Sequence, residues 1–377
     1  MSVPIDLSAY WPIENLEDCF AQEDYYQRIS HPAARELEKQ LAKLEGARYA
    51  LSFSWGMSAI QTLTFGLLRS GDALIINEDL YSGSSCFFRR YLSKFGIIIE
   101  TVDLRNLANL ETILSRVPSP GLIFLESPSN PRLWLADIEA IAKIAQARKF
   151  KVVVDNTFCT PLLQNPLTLG ADLVVYSTTK HIAGHGNSGG GAILFDNQDL
   201  LVPLKVARTS FGSIQKPWDA WLHLEGLKTL EVRLARQLTN AKELAARLEK
   251  HPKIKVVHHP SLDSFPQKEL AFIQMEDGGT IMAFYIKGGL RAAKNFVAAL
   301  KVIVPSTSTG SYKSLIQIPY LSANRLDRHL LTPLPKNLIR FSVGIENVEE
   351  LWGDLDQALL CQDYCKKKKY FKIKTEL

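Results

Sequence analysis

Apolar residues recur along this chain at two spacings, and the two alternate. Ala33–Glu45 puts Leu37, Leu41 and Leu44 on one helical face, and Gly46 stops the run. Tyr49–Phe53 reads as a strand, the turn Ser54–Met57 follows it, and Ser58–Leu68 reads as a helix. The alternation continues through strand Ala73–Ile76, loop Glu78–Ser85, helix Cys86–Phe95, strand Ile97–Val102 and a helix near Leu107–Arg116. Strand Leu122–Leu125, loop Glu126–Pro131 and helix Asp137–Arg148 come next. Three short apolar runs, Val152–Val154, Leu173–Val175 and Ala192–Phe195, read as buried strands. Strands spaced by helices make βαβ units, hence a mainly parallel sheet in an α/β domain.

Asp219–Lys250 is a long helical stretch broken near Gly226, with Pro252 beyond its end. It leads into a smaller region with strands near Lys255–His258, Thr280–Ile286 and Leu338–Val343, covered by helices Arg291–Leu300 and Val348–Leu360. The expected organisation is an extended arm over residues 1–32, a large domain over 33–235, a small C-terminal domain over 236–365 and a basic tail over 366–377.

Charge narrows the choice of partners. The formal net charge is +5, and the tail supplies all of it through Lys366, Lys367, Lys368, Lys369, Lys372 and Lys374 against Glu376. A neutral body argues against nucleic acid as a partner. The five cysteines, Cys19, Cys86, Cys159, Cys361 and Cys365, make neither a disulfide framework nor a zinc spacing, so no metal is expected. The opening MSVPIDLSAYW lacks the basic and apolar regions of a signal peptide. The uncharged stretch Tyr49–Leu68 splits into a strand and a helix rather than spanning a membrane. A cytoplasmic protein with no membrane partner is expected.

The chemistry gathers between Lys151 and Gly191. One buried strand delivers Asp155 at its C-terminal end, and the next delivers Ser177, Thr178, Thr179 and Lys180 before a glycine-rich turn. Ligands sit at such strand ends in open α/β sheets. Alone, a lysine in a Ser/Thr-rich turn is an ordinary solvated side chain, and an Asp closing a strand is an ordinary helix cap. Together they suit pyridoxal 5′-phosphate (PLP), with Lys180 forming the Schiff base, Asp155 meeting the pyridine nitrogen, and Ser177 and Thr179 holding phosphate.

Six segments extend this reading: YQR, GMSAI, ESPSNP, VVVDNTFCTPLLQNPLTLGAD, STTKHIAGH and LIRFSVGIE. In order and spacing they resemble the cysteine/methionine-metabolism PLP enzymes of fold type I over roughly Tyr26 to Glu350. Members of that family include cystathionine γ-synthase, cystathionine γ- and β-lyases, methionine γ-lyase and O-acetylhomoserine sulfhydrylase. The resemblance implies a large domain with a mainly parallel, seven-stranded-type sheet and a smaller α+β C-terminal domain. It implies Lys180 and Tyr81 as catalytic residues, with Tyr81 stacked on the cofactor ring. Gly56 and Met57 would offer amides to the phosphate, and Tyr26 and Arg28 would reach it from a neighbouring subunit of a homotetramer built as a dimer of dimers. Asn130 would lie near the ring oxygen and the substrate carboxylate, Arg340 would grip that carboxylate, and Ser308 would touch substrate.

The activity so implied is elimination or replacement at the γ-carbon of a homoserine- or homocysteine-derived amino acid. Methionine γ-lyase or O-acetylhomoserine sulfhydrylase chemistry, β-elimination from cystathionine or cysteine, and a specialised γ-substitution stay open. A non-catalytic protein of this fold is the rival in another class. Some positions depart from the family's habit: His31-Pro32-Ala33 stands for Asn-Pro-Thr, Trp55 for a small hydroxyl residue, Cys86 for an arginine and Thr307 for an acid. Asn187, in Gly184-His185-Gly186-Asn187, departs as well.

Overall fold

The computed structural model describes residues 3–13, 24–326 and 333–361. Part of the N-terminal arm, Cys19, Cys365 and the basic tail lie outside the described residues.

Seven strands form the larger sheet: β1 (Tyr49–Phe53), β2 (Ala73–Asn77), β3 (Ile98–Val102), β4 (Gly121–Glu126), β5 (Phe150–Asp155), β6 (Leu173–Tyr176) and β7 (Gly191–Phe195), in the order β1-β7-β6-β5-β4-β2-β3. From β6 to β3 every pairing is parallel, while β7 runs antiparallel to both β6 and β1. No helix separates β6 from β7, only the glycine-rich turn, so the chain returns in the opposite sense. The β-branched runs are buried on both faces. Val152 and Val154 enter one core layer with Ile75 and Ile123, and Val153 enters the other with Leu74, Ile76 and Phe124.

The smaller sheet has five strands, β8 (Ile254–His258), β9 (Ile281–Ile286), β10 (Val304–Pro305), β11 (Leu315–Gln317) and β12 (Leu338–Ser342), ordered β10-β11-β12-β9-β8. It is antiparallel except where β10 meets β11. The long helix Leu230–Glu249 packs Leu244 and Leu248 into its core beside Phe284 and Phe341. It is separate from Pro217–Leu227, the break lying next to Gly226 as the sequence predicts. An added Cβ at Gly226 would meet the backbone of Ile182 and Ala183, so close approach of two chains sets that residue.

Several elements differ from expectation. The helix after β2 begins at Ser82 rather than Cys86 and ends at Arg90, with a 3₁₀ turn over Leu92–Phe95, so Tyr81 is its N-cap. Strand β4 extends through Glu126, which pairs with Asp155. Helices Leu201–Phe211, Lys268–Gln274 and Pro319–Leu326 and the short strands β10 and β11 add to the elements expected. His31 caps the helix Pro32–Glu45: its Nδ1 accepts from Ala34 N at 3.2 Å, and its Nε2 lies 2.7 Å from the Gln215 carbonyl. Among the described residues no helix is long and apolar enough to cross a membrane.

Candidate active site

The C-terminal ends of β4, β5 and β6 open into a cleft of about 880 Å³ whose far wall comes from the small sheet and its loops. Asp155, Ser177, Thr179, Lys180, Gly56, Met57, Tyr81, Asn130, Ser308 and Arg340 all line it. The residues are thus gathered from seven separate stretches of sequence. Tyr26 and Arg28 are not among the lining residues: Tyr26 is 42% exposed, and Arg28 Nη1 donates to the Thr209 carbonyl at 2.8 Å.

Asp155 sits on the cleft floor, and its Oδ1 accepts from Thr157 Oγ1 at 2.5 Å and Thr157 N at 3.1 Å. Burial raises its carboxyl, while the Thr157 hydrogen bonds and the Lys180 ammonium oppose the rise. Thr157 Oγ1 also accepts from Ser177 N at 2.8 Å. One hydroxyl therefore fixes the two strand ends to each other, a role the sequence reading missed.

Lys180 Nζ donates to Ser308 Oγ at 3.3 Å. Burial and the Arg340 cation pull its amine down to about 8, against the upward pull of Asp155. A lysine near that value exchanges protons readily at neutral pH. The turn that carries it is clamped by Arg233, whose Nη1 donates to His181 O at 2.9 Å and whose Nη2 donates to Gly226 O at 2.8 Å.

The phosphate end is shaped by close packing. A Cβ on Gly56 would lie 3.0 Å from Ser177 Cβ, so glycine lets the helix Gly56–Leu67 start close against the residue that follows β6. Trp55, its N-cap, supplies no capping oxygen, which leaves first-turn N–H groups for an anion. The Trp55 ring lies over Gly189, where a Cβ would come within 2.6 Å of it. Among the described residues the Ser177 hydroxyl has no hydrogen-bond partner. Thr179 Oγ1 donates to Gly190 O at 3.1 Å and accepts from Gly190 N at 2.9 Å, so it braces the turn as well as facing the cleft.

Arg340 on β12 is 5% exposed. Its Nη1 donates to Asn130 Oδ1 at 3.0 Å and its Nη2 to the Thr307 carbonyl at 2.7 Å, while Nε has no partner. Burial lowers its guanidinium to about 10, and the neighbouring Tyr81 and Glu126 work the other way. Hydrogen bonds to carbonyls leave a buried cation uncompensated, so this position suits an anionic group. Tyr81 keeps its phenol protonated: burial and Glu126 raise it, and Arg340 offsets part of the rise.

These groups suit PLP: an acid for a ring nitrogen, an amine for an aldehyde, and free hydroxyl and amide donors beside a helix start for a phosphate. Asp155 and Lys180 share one cleft and feel each other's charge.

Comparison with known proteins agrees with this geometry. The profile of a family described as Cys/Met metabolism PLP-dependent enzyme matches residues 1–360. L-methionine gamma-lyase of Pseudomonas putida is 39% identical over 349 residues, covering 90% of this chain and 87% of the relative. Cystathionine gamma-lyase of Dictyostelium discoideum is 37% identical over 360 residues, covering 95% and 92%. The structure of cystathionine gamma synthase from Xanthomonas oryzae pv. oryzae in complex with cystathionine superposes with a TM-score of 0.91 at 34% identity, covering 96% and 93%.

Proposed function

The chain belongs to the Cys/Met metabolism family of PLP-dependent enzymes, and from that membership we propose that it catalyses elimination or replacement at the γ-carbon of a homoserine- or homocysteine-derived amino acid. One observation carries the reading: Lys180, Asp155 and Arg340 line one cleft, with the amine in electrostatic reach of both the acid and the buried cation.

PLP, when bound, supplies an electron sink for charge developing at the substrate Cα. Asp155 would hold its ring nitrogen, Tyr81 its ring, and Ser177, Thr179, Gly56 and Met57 its phosphate. Arg340 takes the substrate α-carboxylate in a two-pronged grip, with Asn130 holding the guanidinium plane. Lys180, once its amine is free, removes the proton from Cα and delivers protons elsewhere along the same face. Tyr81, protonated and 43% exposed at the cleft mouth, is placed to give a proton to a departing group. Bringing the amine and the held substrate together makes the proton transfers effectively unimolecular.

The test has two parts. Borohydride treatment of the PLP-loaded protein, followed by peptide mapping, is expected to fix the cofactor on Lys180 alone. A panel of cystathionine, O-acetyl- and O-succinylhomoserine, methionine, homocysteine and cysteine then separates elimination from replacement by following oxo acid, ammonia, thiol and replacement product. Label on another lysine, or no turnover of any γ-substituted substrate, would refute the proposal.

The working assembly is proposed to be a homotetramer, a dimer of dimers. Tyr26 and Arg28, outside their own chain's cleft, would complete that of a neighbour. Sedimentation of the full chain, with loss of PLP affinity in Arg28→Ala, tests this. A cytoplasmic setting fits the free thiols of Cys86, Cys159 and Cys361.

A further inference from the structure

Glu126 has no part in the chemistry above, yet it holds the backbone of two residues that do. It ends β4, is 5% exposed, and pairs across the sheet with Asp155. Both of its oxygens accept from backbone: Oε1 from Tyr81 N at 2.8 Å and Oε2 from Asn130 N at 3.0 Å. Asn130 Oδ1 in turn accepts from Arg340 Nη1 at 3.0 Å, and Arg340 Nη2 donates to the Ser308 carbonyl at 3.3 Å. Ser308 Oγ then accepts from Lys180 Nζ at 3.3 Å. Tyr81, Glu126, Asn130, Arg340, Ser308 and Lys180 therefore form one unbroken arc of hydrogen bonds around the cleft.

The position of Glu126 in that arc is specific. Tyr81 reaches the arc through its backbone at the N-cap of the helix Ser82–Arg90, so Glu126 holds the backbone from which its ring projects. Asn130 is held the same way, so the guanidinium of Arg340 is aimed from the same carboxylate. Its two oxygens thus bridge the half of the cleft that faces the ring and the half that grips a carboxylate.

We propose that Glu126 is a positioning residue that couples substrate-carboxylate capture at Arg340 to the placement of Tyr81. The proposal rests on the function argued above and adds to it how the two halves of the site stay in register. Coupling of this kind needs contiguous contacts, and the arc supplies them.

The experiment uses PLP-loaded protein and L-norvaline, an amino acid with no γ leaving group, with binding followed by visible absorbance and circular dichroism of the cofactor. Glu126→Gln leaves one of the two backbone N–H groups facing an amide NH₂. Glu126→Asp keeps the carboxyl group, but its shorter side chain cannot span both N–H groups. Each variant is expected to raise the L-norvaline Kd about tenfold, the cost of leaving one buried N–H without its acceptor. Each should also shrink the dichroism change on binding, while borohydride still labels Lys180.

Against Asn130→Ala the effect of Glu126→Gln should be smaller than in the wild type, because the link to Arg340 is already cut. An unchanged Kd in either folded variant, or effects that simply multiply with Asn130→Ala, would overturn the proposal. So would weakened cofactor uptake with the L-norvaline Kd of the loaded protein unaltered, which would assign Glu126 to the fold alone. If Glu126→Gln does not fold, Glu126→Asp decides. Failure to label Lys180 in the wild type would instead strike the functional reading itself.

Discussion

Glu45 is the last residue of the helix Pro32–Glu45 and is 2% exposed, beneath the ends of β5 and β6. Tyr176 donates its phenol to Glu45 Oε2, Asn156 Nδ2 donates to the Tyr176 hydroxyl at 2.7 Å, and Glu45 Oε1 has no partner. Burial and the Asp196 charge push its carboxyl up to about 8, and the Tyr176 hydrogen bond recovers only part of the shift. In the unfolded chain a glutamate titrates near ~4.3. Between those values the folded chain keeps a proton that the unfolded chain has released, so stability falls as pH rises, by about 1.4 kcal/mol per pH unit. The loss starts above the unfolded value and is complete once pH passes the folded one.

Glu45→Gln removes that titration and keeps an acceptor for Tyr176. From pH 5 to pH 8 the variant should therefore gain on the wild type by about 4 kcal/mol, a figure good to its order of magnitude. Urea unfolding of the two cofactor-free chains at fixed ionic strength, across that pH range, reads the difference directly. Glu45→Leu removes the acceptor as well and should be the least stable of the three at pH 5, because it strands the Tyr176 hydroxyl. Parallel pH profiles for wild type and Glu45→Gln, or a variant that loses ground as pH rises, would refute the reasoning.

Other outcomes follow from the cleft. Lys180→Ala should abolish turnover and borohydride labelling yet still take up PLP through phosphate and ring contacts, as equilibrium dialysis would show. Turnover at the wild-type rate would remove Lys180 from its role. Arg340→Lys keeps the charge but loses the fork that reaches Asn130 and Thr307, so KM should rise roughly ten- to hundredfold with a smaller fall in kcat. Steady-state kinetics on any accepted substrate checks this. Gly56→Ala forces a Cβ against Ser177 at 3.0 Å and should weaken PLP binding about tenfold or more, with a stability loss of about 1–3 kcal/mol visible in urea unfolding.

What the sequence revealed and what it hid divide along one line. The apolar runs at Val152–Val154 and Leu173–Val175 are legible because period and β-branching are local, and a strand end is where a ligand group is expected. The helix over Leu201–Phe211 was missed because Pro203 and Lys205 interrupt its apolar period, although a proline in the first turn is no obstacle to a helix. The early start of the helix at Ser82 was missed because Ser-Gly-Ser-Ser has poor helix propensity. There, tertiary contact decides: Phe88 packs in the core, and Glu126 holds the Tyr81 N–H. Strands β10 and β11 are too short to show a period at all.

The site residues follow the same division. Lys180, Asp155 and Arg340 carry chemistry in their residue types, so their candidacy shows in one dimension. Thr157, Glu126 and Glu45 do not, because each acts through the groups that it satisfies, and those come from elsewhere in the chain. Thr157 ties residues of two strands, Glu126 reaches back to Tyr81, and Glu45 meets Tyr176 from the far end of the first helix. Buried polar groups must be paired, but sequence does not say with what. A carboxylate at the end of a predicted strand should therefore be asked which backbone N–H groups its neighbours leave unpaired. At Glu126 the loop Ser127–Pro131 and the turn before Ser82 each leave one, and a carboxylate has two oxygens to answer them.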